Sequence, residues 1–209
     1  MKNQAEQIRW DDGIQSVNEK RQIKRMAILR VGAKAFNQNG FSQTSLNSIA
    51  TQLNVTKPSL YYYVKNKDDI LIGILEIAAK QLRELIENTA VSAEQGLPAL
   101  RTFFEAYGRI VTDDFGACLI LMRINAPEDK FRRLYHGLSS EVLTAVTAII
   151  SRGIVDGTIA ECDAKYMASA MLGTMNETVY WYLIEGRESP QDTAVRFFEL
   201  FEQGLLPRN

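Results

Sequence analysis

The sequence predicts an all-α protein built as an N-terminal three-helix helix-turn-helix head followed by a larger C-terminal helical domain, and three observations carry that prediction. Apolar residues recur with helical spacing along most of the 209 residues, with only five prolines and few alternating β-branched runs. Residues 44–67, TSLNSIATQLNVTKPSLYYYVKNK, read as a helix, a tight turn, a second helix opening on Lys57-Pro58-Ser59, and a cluster of aromatics and lysines. Charge is segregated: Lys20 to Lys67 holds nine basic residues and no Asp or Glu, which leaves fifteen basic against 25 acidic elsewhere. A near-neutral total of −1 therefore conceals a head suited to a polyanion and a body that repels one.

Taken in order, residues 1–19 mix charges and polar groups without periodicity and are expected to form a flexible arm. The head is assigned to residues 20–67. Ile23, Ala27, Ile28, Val31, Ala35 and Phe36 share one helical face, and Gly40 after Asn39 suits the left-handed end of a first helix over about 20–39. Thr44 or Ser45 can cap a second helix with Leu46, Ile49, Ala50 and Leu53 on its buried side. Asn54 tolerates the positive φ of a sharp turn, Val55 is expected to plug the corner, and Thr56 caps a third helix over about 57–63 with Pro58 in its first turn. Asn66 can cap a fourth helix, where Asp68 and Asp69 favour the positive end of the dipole. The remainder, 68–209, reads as amphipathic helices over about 68–91, 96–112, 115–123, 127–154, 162–186 and 189–205. Breaks are expected at Gly96-Leu97-Pro98, Asp113-Asp114, Asn125-Ala126-Pro127, Asp156-Gly157 and Glu188-Ser189-Pro190.

The head carries chemistry for duplex DNA. The second helix of a helix-turn-helix lies in the major groove with its N-terminal residues at base edges, while flanking donors fix phosphates. Lys57 and Ser59 can reach bases, Pro58 can meet a thymine methyl, and Tyr61 and Tyr62 can donate to phosphate or pack on sugar. Thr44, with the first amides of the second helix, and Lys67 supply further phosphate sites. Of the three adjacent tyrosines, Tyr63 is expected to turn inward. The basic run Lys20 to Arg25 reads as a solvated face that attracts DNA without reading it.

The series Ala35-Phe36, Gly40-Phe41, Thr44, Ile49-Ala50, Val55-Thr56-Lys57, Leu60-Tyr61-Tyr62 and Lys67 resembles, spacing included, the DNA-binding head of the TetR family of bacterial transcriptional regulators. The resemblance implies that Thr44, Thr56, Lys57, Ser59, Tyr61, Tyr62 and Lys67 occupy DNA-contacting positions, with Phe36, Ile49, Ala50, Val55 and Leu60 in the three-helix core. The sequence departs from the pattern at Val64, where the family usually has Phe, and at Asn54, where Gly is frequent. Looser packing at Val64, or compensation by Tyr63, is expected.

The resemblance further implies a C-terminal domain that dimerises through its last two long helices and holds a small-molecule pocket. Small residues Ala164, Ala168, Ala170 and Gly173 and the apolar Phe197, Phe198, Leu200, Phe201 and Leu205 suggest a four-helix seam, with Ala168, Gly173, Phe197, Phe201 and Leu205 as its marked positions. Effector-pocket candidates are Phe103, Phe104, Tyr107, Met122, Tyr135, Met171, Met175, Tyr180 and Trp181, with Arg123, His136 and Asn176 as polar partners. Residues 172–182 look like a stretch of TetR regulators of lipid and steroid breakdown, some of which respond to acyl-CoA thioesters. The expected protein is a homodimeric repressor that binds a palindromic operator on double-stranded DNA and is released by a small hydrophobic effector, an acyl-CoA or lipid-like metabolite being one class.

Other functions are weighed on the same residues. A weakly specific architectural DNA-binding protein expects neither a sharp footprint nor an effector. An enzyme would have to use Glu105, Asp113 and Asp114, which lack histidine partners; His136 is the only histidine. Cys118 and Cys162 stand alone and read as buried free thiols. No cofactor or metal is called for. The start of the chain lacks a signal peptide's apolar run and no stretch of about 18 residues is uninterruptedly apolar, so a cytoplasmic protein without a membrane partner is expected.

Overall fold

The computed structural model describes the backbone of residues 8–123, 129–185 and 190–206, and the side chains over 18–123, 129–180 and 192–206. The described residues form nine helices: α1 Ile8–Gln43, α2 Leu46–Gln52, α3 Lys57–Tyr61, α4 Lys67–Ala90, α5 Gly96–Thr112, α6 Asp114–Met122, α7 Asp129–Val155, α8 Ala164–Glu185 and α9 Pro190–Leu205. They fall into two compact units that divide between Gly73 and Ile74, inside α4. The expected breaks around residues 125–127 and 188–189 lie outside the described residues.

In the first unit α1, α2, α3 and the start of α4 enclose Ile28, Leu29, Phe36, Ile49, Leu60, Val64 and Ile70, all nearly free of solvent. Gly32 permits this closeness, because a Cβ there would meet Ile70 Cγ2 at 2.6 Å. Gly40 takes a φ of 76°, which breaks the helical path after Asn39 as its position predicts. Residues 8–19, expected to be an unstructured arm, continue α1 as helix. The buried stripe of α1 nevertheless starts only at Ile28: Ile23 is 67% exposed and Ala27 is exposed. Helical spacing marks a face and does not say how far along it a neighbour extends.

Two further expectations in the head are corrected. Val55 does not plug the corner but is 44% exposed, its amide donating to the Ala50 carbonyl at 3.0 Å. Val64 rather than Tyr63 fills the core: its amide donates to the Leu60 carbonyl at 3.1 Å, which turns its side chain inward to 1% exposure. Tyr63 is left half-buried, edge-on to Tyr62. The smaller Val is thus fully packed where looser packing was expected.

In the second unit α5 packs against α6, α7, α8 and α9, and α8 also packs against α7 and α9. Ala99, Leu100, Phe103, Phe104, Tyr107 and Val111 of α5 are buried at its centre. Its N-terminus has no side-chain cap from Gln95. Asp156 and Thr158, from the loop after α7, accept the amides of Gly96 and Leu97 at 2.7 and 3.1 Å and cap the helix from across the fold. Among the described residues α7 alone has the length and apolarity of a membrane span. It is a packed helix here, its stripe of Phe131, Leu138, Val142, Val146 and Ile150 buried and its opposite flank paired through Glu141 to Arg83 at 2.8 Å.

Candidate nucleic-acid interface and effector cavity

The turn between α2 and α3 closes on Asn54, whose φ of 53° makes it the one described non-glycine residue with positive φ. Thr56 then caps α3: its Oγ1 accepts the Ser59 amide at 3.4 Å and lies 2.8 Å from Ser59 Oγ. With Pro58 in the first turn and Leu60 pinned in the core, Lys57, Pro58, Ser59, Tyr61 and Tyr62 stand exposed together. Tyr61 and Tyr62 are 49% and 67% exposed, large values for aromatics. Basic groups approach all three tyrosine rings: Lys57 Nζ at 6.0 Å from Tyr61, Arg21 at 5.5 Å from Tyr62 and Lys24 Nζ at 6.0 Å from Tyr63. The structure therefore gathers cations from α1 around the exposed aromatics of α3. Sequence reading left Arg21 and Lys24 as a solvated run, because their approach to Tyr62 and Tyr63 spans some forty residues of chain.

Two predicted phosphate ligands are placed differently. Thr44 is 3% exposed and its hydroxyl faces the Gly40 and Ala35 carbonyls at 2.9 and 3.2 Å. Ser45 is the N-cap of α2, in a reciprocal box with Ser48: Ser45 Oγ accepts the Ser48 amide at 3.0 Å and Ser48 Oγ the Ser45 amide at 3.2 Å. Thr44 loses that role because its position beside the Gly40 bend points its side chain back at the end of α1. Lys67, half-buried, donates to the Phe41 carbonyl at 2.8 Å and lies 4.5 Å from the Phe41 ring centroid. Its charge remains close to the surface, but its ammonium is engaged in holding the end of α1 beyond the Gly40 bend. Asn66 caps α4 as expected, accepting the Asp69 amide at 2.8 Å. Burial pushes the Asp69 carboxyl up, and the hydrogen bonds from Arg25 and the Lys65 amide outweigh it, so its pKa lies below the ordinary value.

The second unit contains a cavity of about 240 Å³ between α7 and α8, floored by Leu82 of α4, Tyr107 of α5 and Leu119 and Ile120 of α6. Tyr107, Tyr135 and Asn176, three of the pocket candidates, line it, and Tyr107 donates its phenolic proton to Asn176 Oδ1 at 2.7 Å. Burial drives the Tyr107 phenol pKa upward, so it stays a neutral donor. Phe103, Phe104, Met122, Met171 and Met175 are buried but do not line this cavity. Phe103 stacks on Tyr107 at 5.9 Å, and Phe104 packs on Phe198 at 6.1 Å. Arg123 pairs with Glu177 at 3.3 Å and sits 5.8 Å from the Tyr180 ring. The Trp181 side chain lies outside those described. Leu82, Leu138, Ser139, Val142, Ser169 and Leu172 were missed as lining residues. Selection for aromatics and methionines passed over them, and nothing in their local pattern distinguishes a cavity wall from packed core.

The seam candidates also divide. Ala168 and Leu205 are 0% and 1% exposed within their own chain, and the Leu205 carbonyl accepts the Ala160 amide at 2.8 Å. These two cannot present a surface to a partner. Gly173 is exposed and Phe197 and Phe201 are half-buried. Tyr166 at 79% and Leu200 at 66% add apolar surface to α8 and α9 that sequence reading did not single out as seam positions, apart from naming Leu200 on the apolar face of α9. Phe198, also named there, is buried.

Of the carboxylates weighed for catalysis, Asp113 serves the fold. Asp113 caps α6, its Oδ1 accepting the Phe115 and Gly116 amides at 2.9 and 2.7 Å. Cys118 is buried, which raises its thiol pKa, whereas Cys162 is only partly so.

Residues 28–74 match the family model described as bacterial regulatory proteins, tetR family, and residues 95–205 that described as tetracyclin repressor-like, C-terminal domain. The chain is 23% identical over 167 residues to the fatty acid metabolism regulator protein of Bacillus subtilis (strain 168), covering 79% of this chain and 86% of that one. Among solved structures it resembles the TetR family transcriptional regulator PfmR from Thermus thermophilus, with a TM-score of 0.75, 27% identity and coverage of 86% of this chain and 99% of that one. It also resembles the regulator FadR from Bacillus subtilis, solved in complex with stearoyl-CoA, with a TM-score of 0.67, 23% identity and coverage of 86% and 98%. With both its head and the greater part of its body matched, the chain belongs to the TetR family of DNA-binding transcriptional regulators.

Proposed function

We propose that the protein is a cytoplasmic homodimeric repressor that binds a palindromic operator and is released when a small hydrophobic effector occupies the cavity of its second unit. The observation that carries this reading is the exposed set Lys57, Pro58, Ser59, Tyr61 and Tyr62 on a head without acidic residues from Lys20 to Lys67, in a chain whose second unit also holds a partly open pocket of about 240 Å³. Two recognition helices about 34 Å apart are what a palindrome requires, and the exposed Tyr166, Gly173 and Leu200, with half-buried Phe197 and Phe201, offer a seam on α8 and α9. Release needs an effector that binds the DNA-incompetent state better; moving from mostly bound to mostly free takes about 5 kcal/mol of differential binding. Helix α4 is the proposed lever, since it begins at Lys67 and carries Leu82 on the cavity wall. A fatty-acyl or related effector is favoured by the names of relatives, a fatty acid metabolism regulator and a FadR bound to stearoyl-CoA.

The test is retention of sheared genomic DNA at about 0.15 M salt, followed by sequencing. A few intergenic fragments sharing a palindrome support the operator-specific dimer. Uniform recovery that vanishes as salt rises overturns it in favour of an architectural DNA-binding protein.

A further inference from the structure

The head carries an open groove of about 490 Å³ between the exposed first part of α1 and the corner from α2 into α3. Ala27 of α1 and Val55 of the corner line it, both apolar and both exposed, Val55 at 44%. Exposed apolar side chains gathered on one groove, rather than scattered singly, mark a contact surface.

Charge and position say what it contacts. Lys24 lines the groove with its ammonium 6.0 Å from the Tyr63 ring, and Arg21, three residues earlier, stands 5.5 Å from the Tyr62 ring. Both cations are exposed, and no acidic side chain occurs from Lys20 to Lys67. The groove therefore suits an occupant with negative charge beside an apolar face. A DNA strand has both, phosphates strung along deoxyribose. Position favours DNA over an acidic peptide, because Ser59 and Tyr62 line the groove and also belong to the exposed set at α3. Arg21 and Lys24 precede residues 28–74, the stretch that matches the family's head, so that match does not supply this contact.

We propose that the groove seats the DNA strand flanking the bases read by α3, with Arg21 and Lys24 on its phosphates and Ala27 and Val55 against its sugars. Such a contact reads no sequence and adds affinity on any duplex. The inference rests on the family's DNA binding and not on the operator or effector reading above.

The test is fluorescence anisotropy of the full-length protein on a duplex of roughly 40 bp and arbitrary sequence, over about 0.05–0.2 M salt. Arg21→Ala and Lys24→Ala are each expected to lower the slope of log affinity against log salt by about 0.9 per bound head, and the double variant by about twice that. Arg21→Lys should keep the parent slope. Ala27→Trp leaves every charge in place but fills the groove, and should weaken binding at least about tenfold at 0.1 M salt, whereas Ala27→Ser should bind like the parent. Thermal midpoints should not move, because all three side chains are exposed. An unchanged slope in the double variant, or Ala27→Trp binding the duplex like the parent, would overturn the proposal. Capture of a polyglutamate peptide by the parent but not by Ala27→Trp, with duplex binding intact in both, would overturn it in favour of an acidic peptide. The expected losses on arbitrary DNA, with no palindrome among the retained genomic fragments, would sustain the groove while removing the operator reading.

Discussion

Arg25 of α1 joins Asp69 of α4 at 3.1 Å and, with its other terminal nitrogen, donates to the Tyr63 carbonyl at 2.8 Å. One guanidinium thus ties the first helix of the head to the end of the recognition segment and to the helix that follows. Asp69 also accepts the Lys65 amide at 2.9 Å, so the segment between α3 and α4 is held from both ends. The tie fixes the segment that follows the exposed Tyr61 and Tyr62, and its value is positional as much as energetic.

Asp69→Asn is expected to destabilise the head by about 1 kcal/mol at neutral pH, a figure discounted for the partial exposure of both partners. Because the Asp69 pKa is depressed in the folded protein, its contribution is present above the ordinary aspartate range and is lost as pH falls through the lower folded value. Urea denaturation of both proteins at neutral and acid pH checks this: the gap between them should close on the acid side.

The cap on α5 predicts a second pH response with the same sign. The Thr158 hydroxyl and then the Gly96 amide hold the Asp156 pKa low. Asp156→Ala should lower the thermal midpoint at neutral pH, and the difference should shrink as pH falls below the ordinary aspartate range. An Asp156→Ala protein as stable as the parent at neutral pH would mean that water caps the helix equally well.

Glycine positions offer a matched pair. A Cβ on Gly96 would sit 2.1 Å from the Gly153 Cα, so Gly96→Ala must force α5 and α7 apart and should cost about 1–3 kcal/mol or more. At Gly137, in α7, a Cβ meets nothing within 4 Å, and Gly137→Ala should be neutral or stabilising by up to about 1 kcal/mol. Denaturation midpoints of the two variants decide it.

In the head, Tyr62→Phe should weaken operator binding with the thermal midpoint unchanged, because its hydroxyl is exposed and its ring contacts are retained. Lys67→Ala should lower both, since the ammonium also holds the Phe41 carbonyl and ring. Lys57→Ala should reduce the slope of log affinity against log salt by about one. Fluorescence anisotropy on a retained DNA fragment, paired with thermal melts, separates the three; equal affinity for the Tyr62 and Lys57 variants would remove α3 as the reading helix.

Much of this molecule was legible because its signals are local. The Gly40 bend, the positive φ of Asn54, the caps at Thr56 and Asn66 and the boundaries of most helices depend on residues within a turn of one another, and short-range sterics and hydrogen bonding settle them. The head's identity followed from the same compact spacing. Tertiary packing alone decided the rest. Phe103 and Tyr107 share one face of α5, yet only Tyr107 reaches the cavity, because what lies opposite each is set by helices α7 and α8 from far along the chain. Thr44 and Ser45 are neighbours of similar chemistry, and the bend at Gly40 chose between them. Ala168 and Leu205 looked like partner surface until their own chain covered them. A helical period reveals which side of a helix is apolar; whether that side meets core, cavity or a second subunit depends on the volume left by distant residues, which no local pattern encodes.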